Sequence, residues 1–264
     1  MTLAAFFLAP YVLIRQRSVI KQIKKRDWLL LSLGGMFLGF HFAAWITSLE
    51  YTTIASSVVL VTTAPLWVSL LSPLFLKEKL TQWILIGLAI SLIGSVIVGV
   101  SGNCSLMQGE ITCTGFNEMF SGRHFWGNLL ALSGAFLSAG YLMVGRKVRN
   151  SLNLSTYTFI IYSFAALVLI IIVIISGQPV TGYSATNYLW IFALAIVPQL
   201  IGHSAFNWAL KYLSAAFVSI ALLGEPVGSV ILAFLFLKEK PNLLEVFGGL
   251  LILAGIVIAT RKNN

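Results

Sequence analysis

The sequence predicts an all-α polytopic membrane protein, and three observations carry that expectation. Apolar residues make up 58% of the 264, charged residues only 9%, and aspartate occurs once, at Asp27; soluble domains do not have this composition. Uncharged runs of roughly 20 residues recur along the chain, and at about 1.5 Å per helical residue each can cross a hydrocarbon core of ~30 Å. The basic residues gather at alternate ends of these runs, which is the charge pattern of a folded membrane topology.

Taken in order, the elements begin with an apolar piece from Thr2 to Ile14 that is too short to span. It has no basic segment before its apolar run and no small-residue cleavage pattern, so it reads as the second half of a helix begun upstream of Met1 rather than as a signal peptide. Eight full spans follow, at 28–48, 53–75, 81–100, 124–145, 153–175, 188–210, 214–237 and 243–260. Proline stands inside the second and seventh, at Pro65 and Pro226, where the missing amide hydrogen and the ring clash should kink the helix. Gly87, Ser91, Ser95 and Gly99 recur every four residues in the third span, as do Gly127, Ala131, Ala135 and Ala139 in the fourth. Such smooth stripes allow close helix packing. Trp28, Trp83, Trp126 and Trp190 stand near helix ends as interface anchors.

Arg15, Arg17, Lys21, Lys24, Lys25 and Arg26 fill the first loop, which places it in the cytoplasm. Alternating the spans puts Lys77, Lys79, Arg146, Lys147, Arg149, Lys211, Arg261 and Lys262 on the same side and leaves only Arg123, Lys238 and Lys240 outside. The net charge of +9 is therefore a topology signal rather than a nucleic-acid surface, and the C-terminus is expected in the cytoplasm of a cell whose plasma membrane holds the chain. Cys104 and Cys113 share the outside loop 101–123, where an oxidising compartment would permit a disulfide; two unpaired cysteines stay open as the alternative.

The pentapeptide Phe-Leu-Lys-Glu-Lys occurs twice, at 75–79 and 236–240. It is the loudest part of a repeat. With a shift of 161 residues, Leu49, Tyr51, Ala55, Pro65, Gly87 and Gly94 fall on Leu210, Tyr212, Ala216, Pro226, Gly248 and Gly255. The matched spans lie five helices apart, and an odd separation reverses direction through the bilayer, so the halves 1–100 and 124–264 form an inverted repeat. Such repeats are common in secondary transporters, where exchanging the conformations of the halves exchanges the open side.

The stretches Ser48–Gly99 and Phe206–Ala259, each containing its Phe-Leu-Lys-Glu-Lys, resemble the third to fifth and eighth to tenth helices of the EamA family in the drug/metabolite transporter superfamily. That resemblance implies a ten-helix fold of two five-helix bundles, of which this chain shows about eight full spans and a partial one, without the first helix and part of the second. It also implies export or import of amino acids and related metabolites, with neither cofactor nor metal. It carries a conserved helix-end glutamate onto Glu78 and Glu239.

Glu225 is the one acidic residue deep within a span, and burying its charge would cost several kcal/mol without a partner or protonation. His41 and His203 lie in the first helices of the two matched hairpins and could face one cavity. Gln199, after Pro198, and Asn207 add polar groups to span 188–210, and Trp45 and Trp67 could stack on a flat solute. The sequence therefore favours a secondary transporter, an exporter of small neutral or zwitterionic metabolites such as amino acids, with a solute and the lipid bilayer as partners. No basic residue sits mid-span to receive phosphate. Oligomeric state is not legible. A non-transporting membrane partner or an inactive paralogue is the alternative. An intramembrane enzyme is disfavoured: one aspartate supplies no aspartyl dyad, no His-Glu-x-x-His occurs, and Gly202-His203-Ser204-Ala205-Phe206 lacks the second glycine of a nucleophile elbow.

Overall fold

Each of the uncharged runs folds as helix in the computed structural model, which describes residues 1–100, 104–107, 110–113, 122–238, 240, 241 and 243–261. The apolar piece at the start forms α1 (Thr2–Arg15), and the basic loop holds the short α2 (Arg17–Gln22). Next come α3 (Lys25–Tyr51), α4 (Ile54–Val61), α5 (Ala64–Phe75) and α6 (Gln82–Val100). A hairpin of β1 (Cys104–Met107) and β2 (Glu110–Cys113) precedes α7 (Gly122–Val148) and α8 (Leu154–Ser176). Then α9 (Ala185–Leu194) runs through a π-helical segment, Ala195–His203, into α10 (Ser204–Ala209). The chain closes with α11 (Ala215–Leu222), α12 (Glu225–Leu232), a second π segment (Ala233–Leu237) and α13 (Leu243–Ala259).

Helix starts follow local chemistry. The side chains of Thr53, Asn153 and Ser184 accept the amides of Ser56, Thr156 and Asn187, each satisfying one of the free donors at a helix start. Gly177, at φ 64°, ends α8 in the left-handed conformation that glycine adopts without a Cβ penalty. Among the described residues, six segments are long and apolar enough to cross a membrane: 25–51, 56–75, 122–148, 154–176, 185–209 and 215–236. The apolar helices Gln82–Val98 and Leu243–Ala259 are shorter. The expected loop 101–123 contains the antiparallel hairpin, whose register sets Cys104 opposite Cys113.

The chain divides into two compact units. The first comprises Met1–Ala43 and Gly140–Ser214. In it α1 packs along α8, and Gly39 of α3 lies so close to α8 that an added Cβ would come within 2.8 Å of Val168 Cβ and 3.1 Å of the Ala165 carbonyl. The second unit comprises Ala44–Ala139 and Ala215–Asn264. Here Ala131, Ala135 and Ala139 are fully buried, so the small-residue stripe of α7 packs as its spacing predicts.

The repeat is visible element by element in this second unit. α4 and α11, α5 and the composite α12–π segment, and α6 and α13 each begin 161 residues apart. The two described non-glycine residues with positive φ are Lys77 (57°) and Lys238 (61°), the same position of each pentapeptide. The inversion is visible as well. An added Cβ at Gly94 would meet Gly248 and Ile252, one at Gly248 would meet Gly94 and Val98, and one at Gly87 would meet Gly255 and Ala259. Residue numbers rise along α6 as they fall along α13, so the two helices run antiparallel. Since Gly248 is the image of Gly87 and Gly255 the image of Gly94, the contact maps onto itself, as a two-fold interface must. Ser91 donates to the carbonyl of Ile252 at 3.3 Å, a residue bonded to its own image.

Candidate functional site

In the first unit, the segment Ala185–Ala209 turns an apolar surface outward and a polar one inward. Leu189, Trp190, Val197, Ile201 and Trp208 are exposed, whereas Gln199 and Asn207 are buried at 6% and 0% exposure. Gln199, His203 and Asn207 stand at i, i+4 and i+8, one face of a helix. The π-helical turn around Pro198 lies where proline deletes a backbone donor, and such widened turns are frequent at functional sites.

Two buried tyrosines meet this stripe, and a third lies beside them. Tyr141 of α7 donates to Asn207 Oδ1 at 2.6 Å. Tyr162 of α8 lies 3.2 Å from the Gln199 carbonyl and 3.2 Å from Ser204 Oγ. Tyr157 is fully buried, and its hydroxyl has no hydrogen-bond partner. The His203 ring sits 5.5 Å from Phe42 and 6.3 Å from Tyr141, and His41 packs 5.0 Å from Phe42. His203 Nδ1, Gln199 Nε2 and Asn207 Nδ2 are buried without a hydrogen-bond partner. Buried polar atoms are almost always paired. Four such atoms, on Tyr157, Gln199, His203 and Asn207, belong to this unit's polar side chains.

Arg149 closes one end of the cluster. Placed in a cytoplasmic loop by the sequence, it is 2% exposed. Its Nε donates to the Asn207 carbonyl at 2.9 Å, another guanidinium nitrogen donates to the Leu152 carbonyl, and its charge lies 5.8 Å over the Tyr157 ring. Burial pulls its pKa below the ordinary value. With these donors committed to backbone carbonyls, the guanidinium fastens α10 to the end of α7.

The second unit contains two broken helices. The prolines expected to kink spans 53–75 and 214–237 stand directly after an interruption in each: Pro65 is the second residue of α5 and Pro226 the second of α12. There the missing amide hydrogen costs nothing, because the first turn has no intrahelical acceptor for it. In the first break, Thr62 and Thr63 donate their hydroxyls to the carbonyls of Val59 (2.9 Å) and Leu60 (2.6 Å), and Thr62 also meets Ser95 at 3.1 Å. In the second break, Leu223 and Gly224 occupy those places and offer no hydroxyl. Glu225 follows as the first residue of α12, exposed, with no hydrogen-bond or ionic partner among the described residues.

Of the residues singled out from sequence, His41, Gln199, His203 and Asn207 come together in the first unit. Glu225, Trp45 and Trp67 belong to the second, where Trp67 packs edge-on against Phe136 at 5.4 Å. Glu78 accepts the amide of Ala215 at 3.1 Å; Glu239 lies outside the described residues. The sequence missed Tyr141, Tyr157, Tyr162 and Arg149. Only the rarity of a hydroxyl in apolar runs could have pointed to the tyrosines.

Comparison with known proteins places the chain in a family. The profile of the EamA-like transporter family matches residues 1–100 and 125–261. The chain belongs to the EamA-like transporter family. It is 27% identical to the uncharacterized transporter YxxF of Bacillus subtilis over 98% of this chain and 78% of that protein. It is 25% identical to a probable terminal-alkyne amino-acid exporter of Streptantibioticus cattleyicolor, over 78% of this chain and 63% of that one. A solved crystal structure shares the fold, with a TM-score of 0.77 at 21% identity over 98% of this chain and 84% of the other. As an EamA-type protein the chain is an integral multi-pass membrane protein of a transporter family.

Proposed function

We propose that the protein is a secondary exporter of small neutral or zwitterionic metabolites of the amino-acid type, working by alternating access of its two inverted halves. The observation that carries this reading is the set of unpartnered, buried polar atoms on Tyr157, Gln199, His203 and Asn207. In an apolar bundle such atoms cost about 1–3 kcal/mol each when left unmade, and a solute rich in hydrogen-bonding groups recovers that cost while it is bound. The amino-acid class is supported by the relative from Streptantibioticus cattleyicolor. It also agrees with Arg149, whose donors are engaged by carbonyls and which is therefore a poor receptor for phosphate.

Glu225 takes the second role in this reading. A carboxylate at a helix break, without a protein partner, can receive the ammonium of a zwitterion or carry the proton that drives it. Reconstituted into vesicles, the chain should exchange labelled amino acids without ATP. Tyr157→Phe should raise KM for the solute and leave the fold intact. Glu225→Gln should flatten the pH dependence of exchange. An absence of flux for every amino acid tried, in protein shown to be folded, would overturn the substrate class; identical pH profiles would remove Glu225 from coupling.

A further inference from the structure

The two ends of the second unit carry equivalent sequence in unequal surroundings. On α5 the face formed by Ala64, Pro65, Val68, Ser69 and Ser72 is buried, and α5 packs along α11, whose Ala215 and Ala216 have no exposure. The described images of those positions are less buried. Glu225 is exposed, and Pro226 and Val230 are half-exposed. Ile54, the image of Ala215, is 72% exposed. The described residues of two ends equivalent in sequence thus differ in burial.

Glu78 sits at the closed end and joins its two helices. Lys77 turns the chain through a left-handed residue, φ 57°, immediately after α5. The next side chain then reaches the start of α11, where Glu78 Oε2 accepts the Ala215 amide at 3.1 Å. A carboxylate at this place satisfies a free donor and complements the positive end of the helix. It is also a contact that exists only while α5 and α11 are together.

We propose that Glu78 is a conformational latch: its carboxylate, capping α11, holds the α5–α11 end shut, and breaking that cap is the step that lets this end open as the α4–α12 end closes. This rests on the alternating-access reading above, and it adds to that reading a named bond whose loss biases the two states.

Two single-cysteine reporters test the latch in solubilised full-length protein without any solute. Ser72→Cys reports on the closed end and Val230→Cys on the open end, and labelling by a small thiol reagent is read on the peptide carrying each reporter. Glu78→Gln should raise the labelling rate at position 72 about three- to tenfold and lower it at position 230, because one bonus for a charged acceptor is lost from one state only. Ala215→Pro removes the donor and keeps the carboxylate, at a helix position where proline is tolerated. It should give the same pair of opposite shifts, and the double variant should add little to either. Rates that rise at both ends, as simple loosening would produce, or that change at neither, would overturn the latch. Transport lost with labelling unchanged would also overturn it while leaving the transporter reading intact.

Discussion

Gly94→Ala tests the α6–α13 contact. A methyl at Gly94 would lie 2.6 Å from the Gly248 carbonyl oxygen, 2.8 Å from the Ile252 amide nitrogen and 2.9 Å from Ile252 Cγ1. Ordinary contact begins at 3.4 Å, so the helices must separate locally by about 0.8 Å, a gap that forfeits roughly a quarter to a half of each dispersion well. The two nearest atoms are backbone, and no rotamer change relieves them. Overpacking of this kind costs about 1–3 kcal/mol, and lipid-embedded helices rely on close packing because no hydrophobic force draws them together. Gly228→Ala is the matched control, because nothing lies within 4 Å of a Cβ there and both substitutions gain the same helix propensity of about 1 kcal/mol. The difference between the two variants isolates the clash. At about 2–4 °C per kcal/mol for a chain of this size, Gly94→Ala should melt about 2–12 °C below Gly228→Ala, followed by tryptophan fluorescence in detergent. A Gly94→Ala protein melting at or above the control would refute the antiparallel glycine contact.

Other outcomes follow from the polar cluster and the helix breaks. Tyr141→Phe leaves Asn207 Oδ1 buried and unmade and should cost about 1–3 kcal/mol, whereas Tyr157→Phe removes a hydroxyl that has no partner and should be neutral or slightly stabilising; chemical denaturation of the two variants checks the contrast. Arg149→Lys keeps the charge but not the planar fork that reaches both the Asn207 and Leu152 carbonyls, so it should lose about 1–3 kcal/mol. Methionine at the same position should lose at least as much, read by the same unfolding curves. Thr62→Val removes the hydroxyl tied to Val59 and Ser95 and should raise hydrogen exchange in the last turn of α4 before it changes the global melting point.

The helices were legible in the sequence because uncharged runs of membrane length have few other uses, and the repeat was legible because two charged pentapeptides stand out in so apolar a chain. The interruptions at Thr62–Thr63 and Leu223–Gly224 were legible from Pro65 and Pro226 as kinks, though not as new helix starts. A proline in an apolar run signals a kink or a new start equally, and the choice depends on whether neighbours absorb the freed carbonyls, as the two threonine hydroxyls do. The polar stripe Gln199–His203–Asn207 could be read from its spacing. Its tyrosine partners could not, since a helix apolar on every face does not reveal which side meets lipid and which meets another helix. Arg149 follows the same rule: charge places it between two spans, and packing turns its guanidinium inward.

The central claim is that the two halves are inverted with respect to each other. Lys77 and Lys238, equivalent in the repeat and both exposed, provide the direct measurement: each is replaced singly by cysteine and labelled in sealed vesicles of known orientation with a reagent that cannot cross the membrane. The account predicts that the two positions react from opposite sides; reaction from the same side would contradict it.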